Sequence, residues 1–174
     1  MDSYFINSIN RNTKLRDQLI QILCYCRSKT IYSVNKLNVL QLDFTFDDKS
    51  NSIGTLLRHI AALEDYYQKI IFHNRYLNDL EREYWAGALP KQLIWRKTSG
   101  NDVNYYLELL SRVRSETMTM LSRKRDSWLF KGPIFREAPP FNNYFCLFHL
   151  VEEELAHLGQ INLIKSRFTL NTEL

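Results

Sequence analysis

Apolar residues recur at intervals of three and four along most of the chain, and that period predicts helices rather than strands. Leu15, Leu19, Ile22 and Cys26 mark a first helix over Asn10 to Lys29. Ile53, Leu56, Leu57, Ile60, Leu63, Tyr67 and Ile70 mark a second, opened by Ser52 as N-cap and running to about His73. A third follows Asp102 through Val103, Tyr106, Leu107, Leu110, Val113, Met118 and Leu121. The fourth opens at Asn142 or Asn143 and extends to about Arg167, and the tail from Thr169 frays.

The connections carry no such period. Thr30 to Asn51 ends in a polar run with capping residues, and Asp43-Phe44-Thr45-Phe46 reads as a short extended piece across the bundle end. Tyr76 to Trp85 either continues the second helix or forms a short one of its own. Gly87 to Gly100 contains Pro90, and Trp128 to Pro140 is a Gly/Pro loop. Four amphipathic segments, two long connections and no strand pattern predict an all-α four-helix bundle with long crossover connections, one domain over residues 1–174.

Composition narrows the class. At 174 residues, 45% hydrophobic and 24% charged, the chain is long enough for a core of its own, and 5 Gly with 4 Pro suit helices better than a turn-rich β fold. No run of eighteen apolar residues predicts a membrane span, and the polar start lacks the apolar centre of a secretory signal. Three cysteines exclude a complete disulfide framework. Cys24, Cys26 and Cys146 are expected to be reduced residues of the core or its shoulder in a cytoplasmic protein. The net charge of +4 is mild, and the Arg123-Lys124-Arg125 cluster beside Asp126 suits a helix end better than nucleic acid.

The exception to the pattern lies on the fourth helix. Its apolar stripe reads Cys146, Leu150, 153, 157, Ile161, Ile164 and Phe168, yet positions 153 and 157 carry Glu and His. An unpartnered buried carboxylate costs several kcal/mol, on the order of the burial penalties known for charges, so a fold that places it there must compensate it. Residues at i and i+4 sit about 6 Å apart on one helix face, close enough to share a cation. His149 and His157 are about 12 Å apart along the axis, too far to share one. The pair is Glu153 with His157 or His149 with Glu153, and the stripe prefers the first. On the second helix His59 recurs with Leu56, Leu63, Tyr66 and Ile70, whereas His73 lies near the helix end. Against this stand plainer readings: His59 as a core histidine bonded to a neighbour, Glu153–His157 as a salt bridge, and Glu152 and Glu154 as solvated acids.

Two segments carry a family resemblance. Ser52-Ile53-Gly54-Thr-Leu-Leu-Arg-His59-Ile-Ala-Ala-Leu-Glu64 and His149-Leu-Val-Glu-Glu-Glu-Leu-Ala-His157-Leu-Gly159-Gln160-Ile161 resemble helices two and four of the DinB/YfiT-like bundles. The chain departs from the common pattern in having Glu153 where many members place the first His of a final pair, and it looks closer to a branch with Glu there. The resemblance implies a metal triad of His59, Glu153 and His157 holding a divalent ion, with Zn, Ni, Fe and Mn not distinguished. It also implies a metal-dependent thiol S-transferase, a small-molecule substrate such as a low-molecular-weight thiol, and a homodimer. The readings weighed beside it are a metal-dependent hydrolase and a non-catalytic metal- or ligand-binding dimeric bundle with a stress-related role. Neither nucleic acid nor membrane is expected as a partner. Tyr66, Tyr67, Tyr106, Tyr144 and Trp128 are candidates to line a pocket, although such spacing is also that of core residues.

Overall fold

A computed structural model describes residues 14–89, 98–133 and 141–170, the side chains of 168–170 excepted. The expected start of the first helix at 10–13, the segments 90–97 and 134–140 of the connections, Phe168 as a stripe residue and the tail from 171 lie outside the described residues. Those described form seven helices and no strand: α1 (Lys14–Val34), α2 (Val39–Asp43), α3 (Ile53–Ile71), α4 (Asp79–Tyr84), α5 (Val103–Ser122), α6 (Asp126–Leu129) and α7 (Asn143–Leu170).

The predicted caps hold the ends of three long helices. Ser52 Oγ accepts the Thr55 N–H at 3.2 Å, Asp102 Oδ1 that of Tyr105 at 2.9 Å, and Asn142 Oδ1 that of Phe145 at 2.8 Å. Each satisfies one of the amide donors a helix start leaves without a partner. α3 stops at Ile71 because Asn74 turns left-handed (φ 51°), a conformation Asn tolerates better than most residues. Tyr76 to Trp85 therefore holds a separate helix, α4, opened by a capping box between Asn78 and Glu81.

Three boundaries differ from the sequence reading. α1 continues past Lys29 to Val34, because its buried stripe is Leu19, Leu23, Cys26, Thr30 and Val34. The Thr30 hydroxyl is satisfied inside the helix, donating to the Cys26 carbonyl at 3.3 Å, so a polar β-branched residue does not end it. Asp43 closes α2, and extended backbone begins only at Phe44 (φ −60°, ψ 138°). α7 also continues as helix through Thr169 to Leu170.

The long helices pack in a ring: α1 against α7 and α5, α3 against α5 and α7. Side-chain pairs give their directions. Arg27 meets Glu154 and Ser33 meets Asn162, so α1 and α7 run parallel. His59 meets Glu153 while Tyr67 meets His149, so α3 and α7 run antiparallel. α3 and α5 run parallel, since Gly54 lies against Tyr106 and Gln68 against Thr117. Parallel neighbours cannot be joined by a tight turn, which is why a long connection carrying α4 links them.

The core is two apolar clusters. One gathers Val34, Ile53, Leu57, Ile60, Tyr106, Leu110 and Ile161; the other gathers Leu19, Leu23, Ile70, Leu121, Leu129, Leu147 and Leu150. Between them lies a layer of four charges, one from each long helix. Arg27 donates to Glu154 at 2.7 Å and to Glu64 at 2.8 Å, and Arg114 donates to Glu64 at 2.7 Å and to Glu154 at 2.8 Å. The remaining donors are satisfied on the backbone: Arg27 Nη1 by the Leu110 carbonyl at 2.5 Å and Arg114 Nη1 by the Leu23 carbonyl. Glu154 is thus not a solvated acid but fully buried, because two guanidiniums neutralise it where an unpaired carboxylate would be excluded.

Gly54 is fixed by a close approach. A Cβ there would stand 2.4 Å from the hydroxyl of the fully buried Tyr106. Gly54→Ala is expected to destabilise the fold by about 1–3 kcal/mol through overpacking, despite Ala's better helix propensity. Urea unfolding checks this; an unchanged or raised midpoint would show that Tyr106 yields.

Candidate metal centre

The amphipathic faces of α3 and α7 bring His59, Glu153 and His157 together across their antiparallel packing. One ligand-type atom from each lies within 4.8 Å of the others. Glu153 Oε2 is 3.4 Å from His59 Nε2 and 3.2 Å from His157 Nε2. The two imidazoles meet edge to face with centroids 4.8 Å apart. His59 is 3% exposed and the side chains of His157 and Glu153 are 12% and 31% exposed, so the cluster is buried on the histidine side and open on the carboxylate side.

The proton positions follow from the other ring nitrogens. His59 Nδ1 lies 2.7 Å from the Ala88 carbonyl, which can only accept, so Nδ1 carries the hydrogen. His157 Nδ1 is likewise 3.0 Å from Gln160 Oε1. In the neutral form each Nε2 then presents a lone pair toward the same carboxylate oxygen. Burial pushes His59 below its ordinary value near 6.5, outweighing the opposing pull of the Ala88 hydrogen bond, so the neutral form is favoured.

Two lone pairs and a carboxylate oxygen facing one another repel unless a cation lies between them. His157 Nε2 is buried and makes no hydrogen bond, a costly state for a polar atom unless something coordinates it. Donor type agrees: two imidazole nitrogens and one carboxylate oxygen suit a divalent first-row metal and leave coordination positions open. Each histidine also hands its other N–H to an oxygen, the outer-shell arrangement that orients metal-binding imidazoles. The residues present fit a divalent ion, and the cluster could hold one.

The other histidines are placed differently. His149 donates from Nδ1 to Glu152 at 2.9 Å, stacks on Phe145 at 5.6 Å and keeps its Nε2 3.6 Å from Glu153 Oε1, at the margin of the triad. His73 is half exposed beside Glu116, away from the triad. Of the aromatic candidates, Tyr67 meets His149 edge-on at 5.9 Å, while Tyr106 is core and Trp128 stacks on Phe72. Two clefts lie elsewhere: one of about 420 Å³ bounded by Asp65, Lys69, Glu81, Trp85 and Arg112, and one of about 460 Å³ along Arg112, Glu116 and Thr119. Neither touches the triad, and convergence of ligand atoms marks chemistry better than volume does.

Among the described residues Cys24 is exposed and Cys26 and Cys146 are buried, all with free thiols. Burial raises the Cys26 thiol to about 11 and the Cys146 thiol to about 12, so both stay protonated at neutral pH. No helix among the described residues is long and apolar enough to cross a membrane.

The all-α bundle and its histidine–glutamate–histidine cluster between α3 and α7 agree with the resemblance to the DinB/YfiT-like bundles. Residues 18–169 match the mycothiol S-transferase family, and the chain belongs to that family. No curated protein matches it. The crystal structure of a conserved protein from Enterococcus faecalis is similar in fold, with a TM-score of 0.65 at 16% identity over 84% of this chain and 92% of that one.

Proposed function

We propose that this chain is a divalent-metal-dependent S-transferase that uses a small thiol as cosubstrate, with His59, Glu153 and His157 as the metal ligands. The observation that carries the reading is the pair of imidazole Nε2 atoms turned onto one carboxylate oxygen, with both Nδ1 hydrogens committed elsewhere. The family, named for mycothiol S-transfer, supplies the reaction class. A divalent ion in such a site acts as a Lewis acid that raises the thiolate fraction of a thiol at neutral pH. Zn, Ni, Fe and Mn all accept this ligand set.

The protein's own residues do the positioning. His59 and His157 present Nε2 because their Nδ1 hydrogens are held by Ala88 and Gln160. Glu153 contributes the negative charge and the open side of the cluster. The Cys26 and Cys146 thiols, kept protonated by burial, are poor nucleophiles at neutral pH, and this reading gives the reacting sulfur to the cosubstrate.

Cobalt substitution tests the reading. Mycothiol, bacillithiol or glutathione is expected to add a sulfur-to-metal charge-transfer band to the spectrum of the cobalt-loaded protein, with the His157→Ala variant showing none. A spectrum indifferent to all three thiols would remove the transferase reading and leave the metal site standing.

A further inference from the structure

The turn after α4 is the part of the site that the ligand triad does not explain. It supplies the Ala88 carbonyl that takes the His59 Nδ1 hydrogen, yet it belongs to a connection and not to a bundle helix. Something must fix that carbonyl, since an imidazole turns about its χ2 bond at little cost when its partner moves.

Arg58, the residue before His59 on α3, is placed to do so. Its Nη2 donates to the Tyr84 carbonyl at 2.5 Å and its Nη1 to the Ala86 carbonyl at 3.1 Å. These carbonyls lie at and just beyond the end of α4, where a helix leaves acceptors without partners and a cation is favoured. The same guanidinium lies 5.8 Å from the Trp85 ring centroid. Trp85 is buried and donates from Nε1 to Asp65 at 2.7 Å, giving the turn a second tether to α3. Gly87 turns left-handed (φ 77°), and the Ala88 amide closes on the Trp85 carbonyl at 2.9 Å. The turn is therefore held to α3 at Arg58 and at Asp65, on either side of His59 along the helix.

We propose that Arg58 is a positioning residue of the metal centre: by gripping the Tyr84 and Ala86 carbonyls it holds the turn whose Ala88 carbonyl fixes the His59 tautomer and aims Nε2 at the ion. The part concerning metal rests on the proposed ligand triad; the part concerning the tautomer does not. A bidentate grip on two carbonyls needs the forked guanidinium, which an ammonium cannot reproduce.

The test uses the full chain with Arg58→Met, which keeps an aliphatic stem beside Trp85, and Arg58→Lys, which keeps the charge. Two readouts are taken: the His59 ring nitrogen signals by ¹⁵N NMR on metal-free protein, and cobalt affinity by titration. Wild-type His59 is expected to show a single Nδ1–H tautomer. Arg58→Met is expected to mix the tautomers and to bind cobalt about 10- to 100-fold more weakly, the loss typical of outer-shell partners. Arg58→Lys should fall between the two. Wild-type tautomer and affinity in both variants would overturn the proposal. If Arg58→Met does not fold, Arg58→Lys decides alone, because an unchanged tautomer and affinity there deny the bidentate grip. Wild-type protein that binds no cobalt but shows the tautomer shift in the variants would sink the metal reading and leave the role of Arg58 intact.

Discussion

Glu64→Gln, which removes one buried charge at nearly constant volume, is expected to cost about 3–5 kcal/mol of stability, the range for breaking a buried ion pair from one side. Glu64 accepts from Arg27, Arg114 and Thr117 at 2.7–2.8 Å and is fully buried. Without its charge, two guanidiniums face the single carboxylate of Glu154. The pH dependence has a definite sign. Burial alone would raise the Glu64 carboxyl, but Arg114 and Arg27 outweigh it and hold the group below its usual value of 4.5. A carboxyl depressed in the folded state contributes stability that is complete above about 4.5 and is lost as pH falls toward its folded value. Urea unfolding at pH 7 and at successive values below 4.5 should therefore show the gap between wild type and Glu64→Gln narrowing with acidity. A gap that stays constant would deny that the charge of Glu64 holds the layer together.

The second large effect concerns ligand binding. Loss of a triad member, as in His59→Ala or His157→Ala, is expected to weaken divalent-metal affinity by more than the roughly 100-fold upper range of outer-shell losses. At a free metal concentration about 100 times the dissociation constant, wild type should gain about 2.7 kcal/mol of stability, which the variants lose. Thermal unfolding with and without zinc reads this. Equal zinc shifts in wild type and both variants would place the ion elsewhere.

The caps and the convergence of His59, Glu153 and His157 were legible in the sequence because each is a local exception to a pattern. Ser52 and Asp102 precede periodic runs, and His59, Glu153 and His157 are polar residues at or beside apolar positions. The resemblance then joined segments ninety or so residues apart that spacing alone could not pair. The charge layer was not legible. Reading 153 and 157 into the stripe of α7 turned the helix slightly too far, so Glu154 fell on the solvent side. The buried stripe is Leu147, Leu150, Glu154, Ile161 and Ile164, with Glu153 and His157 on its flank toward α3. A hydrophobic period cannot reveal a buried glutamate whose partners, Arg27 and Arg114, come from two other helices. Nor could it show Ala88, since a backbone carbonyl has no side-chain signature. The extension of α1 to Val34 escaped for a related reason: Thr30 reads as polar until its hydroxyl is seen bonded to Cys26.

The layer and the triad share a helix segment. Glu153 and Glu154 are consecutive, one turned to the histidines and the other to the two arginines. The buried pairs fix the rotation of α7, and that rotation sets where Glu153 and His157 point.

Elemental analysis of protein purified without added ions, beside Glu153→Ala prepared identically, tests the central claim most directly. Wild type should carry a single divalent ion per chain and the variant close to none. A metal-free wild type that takes up no divalent ion on dialysis, or a variant that keeps its full complement, would contradict the assignment.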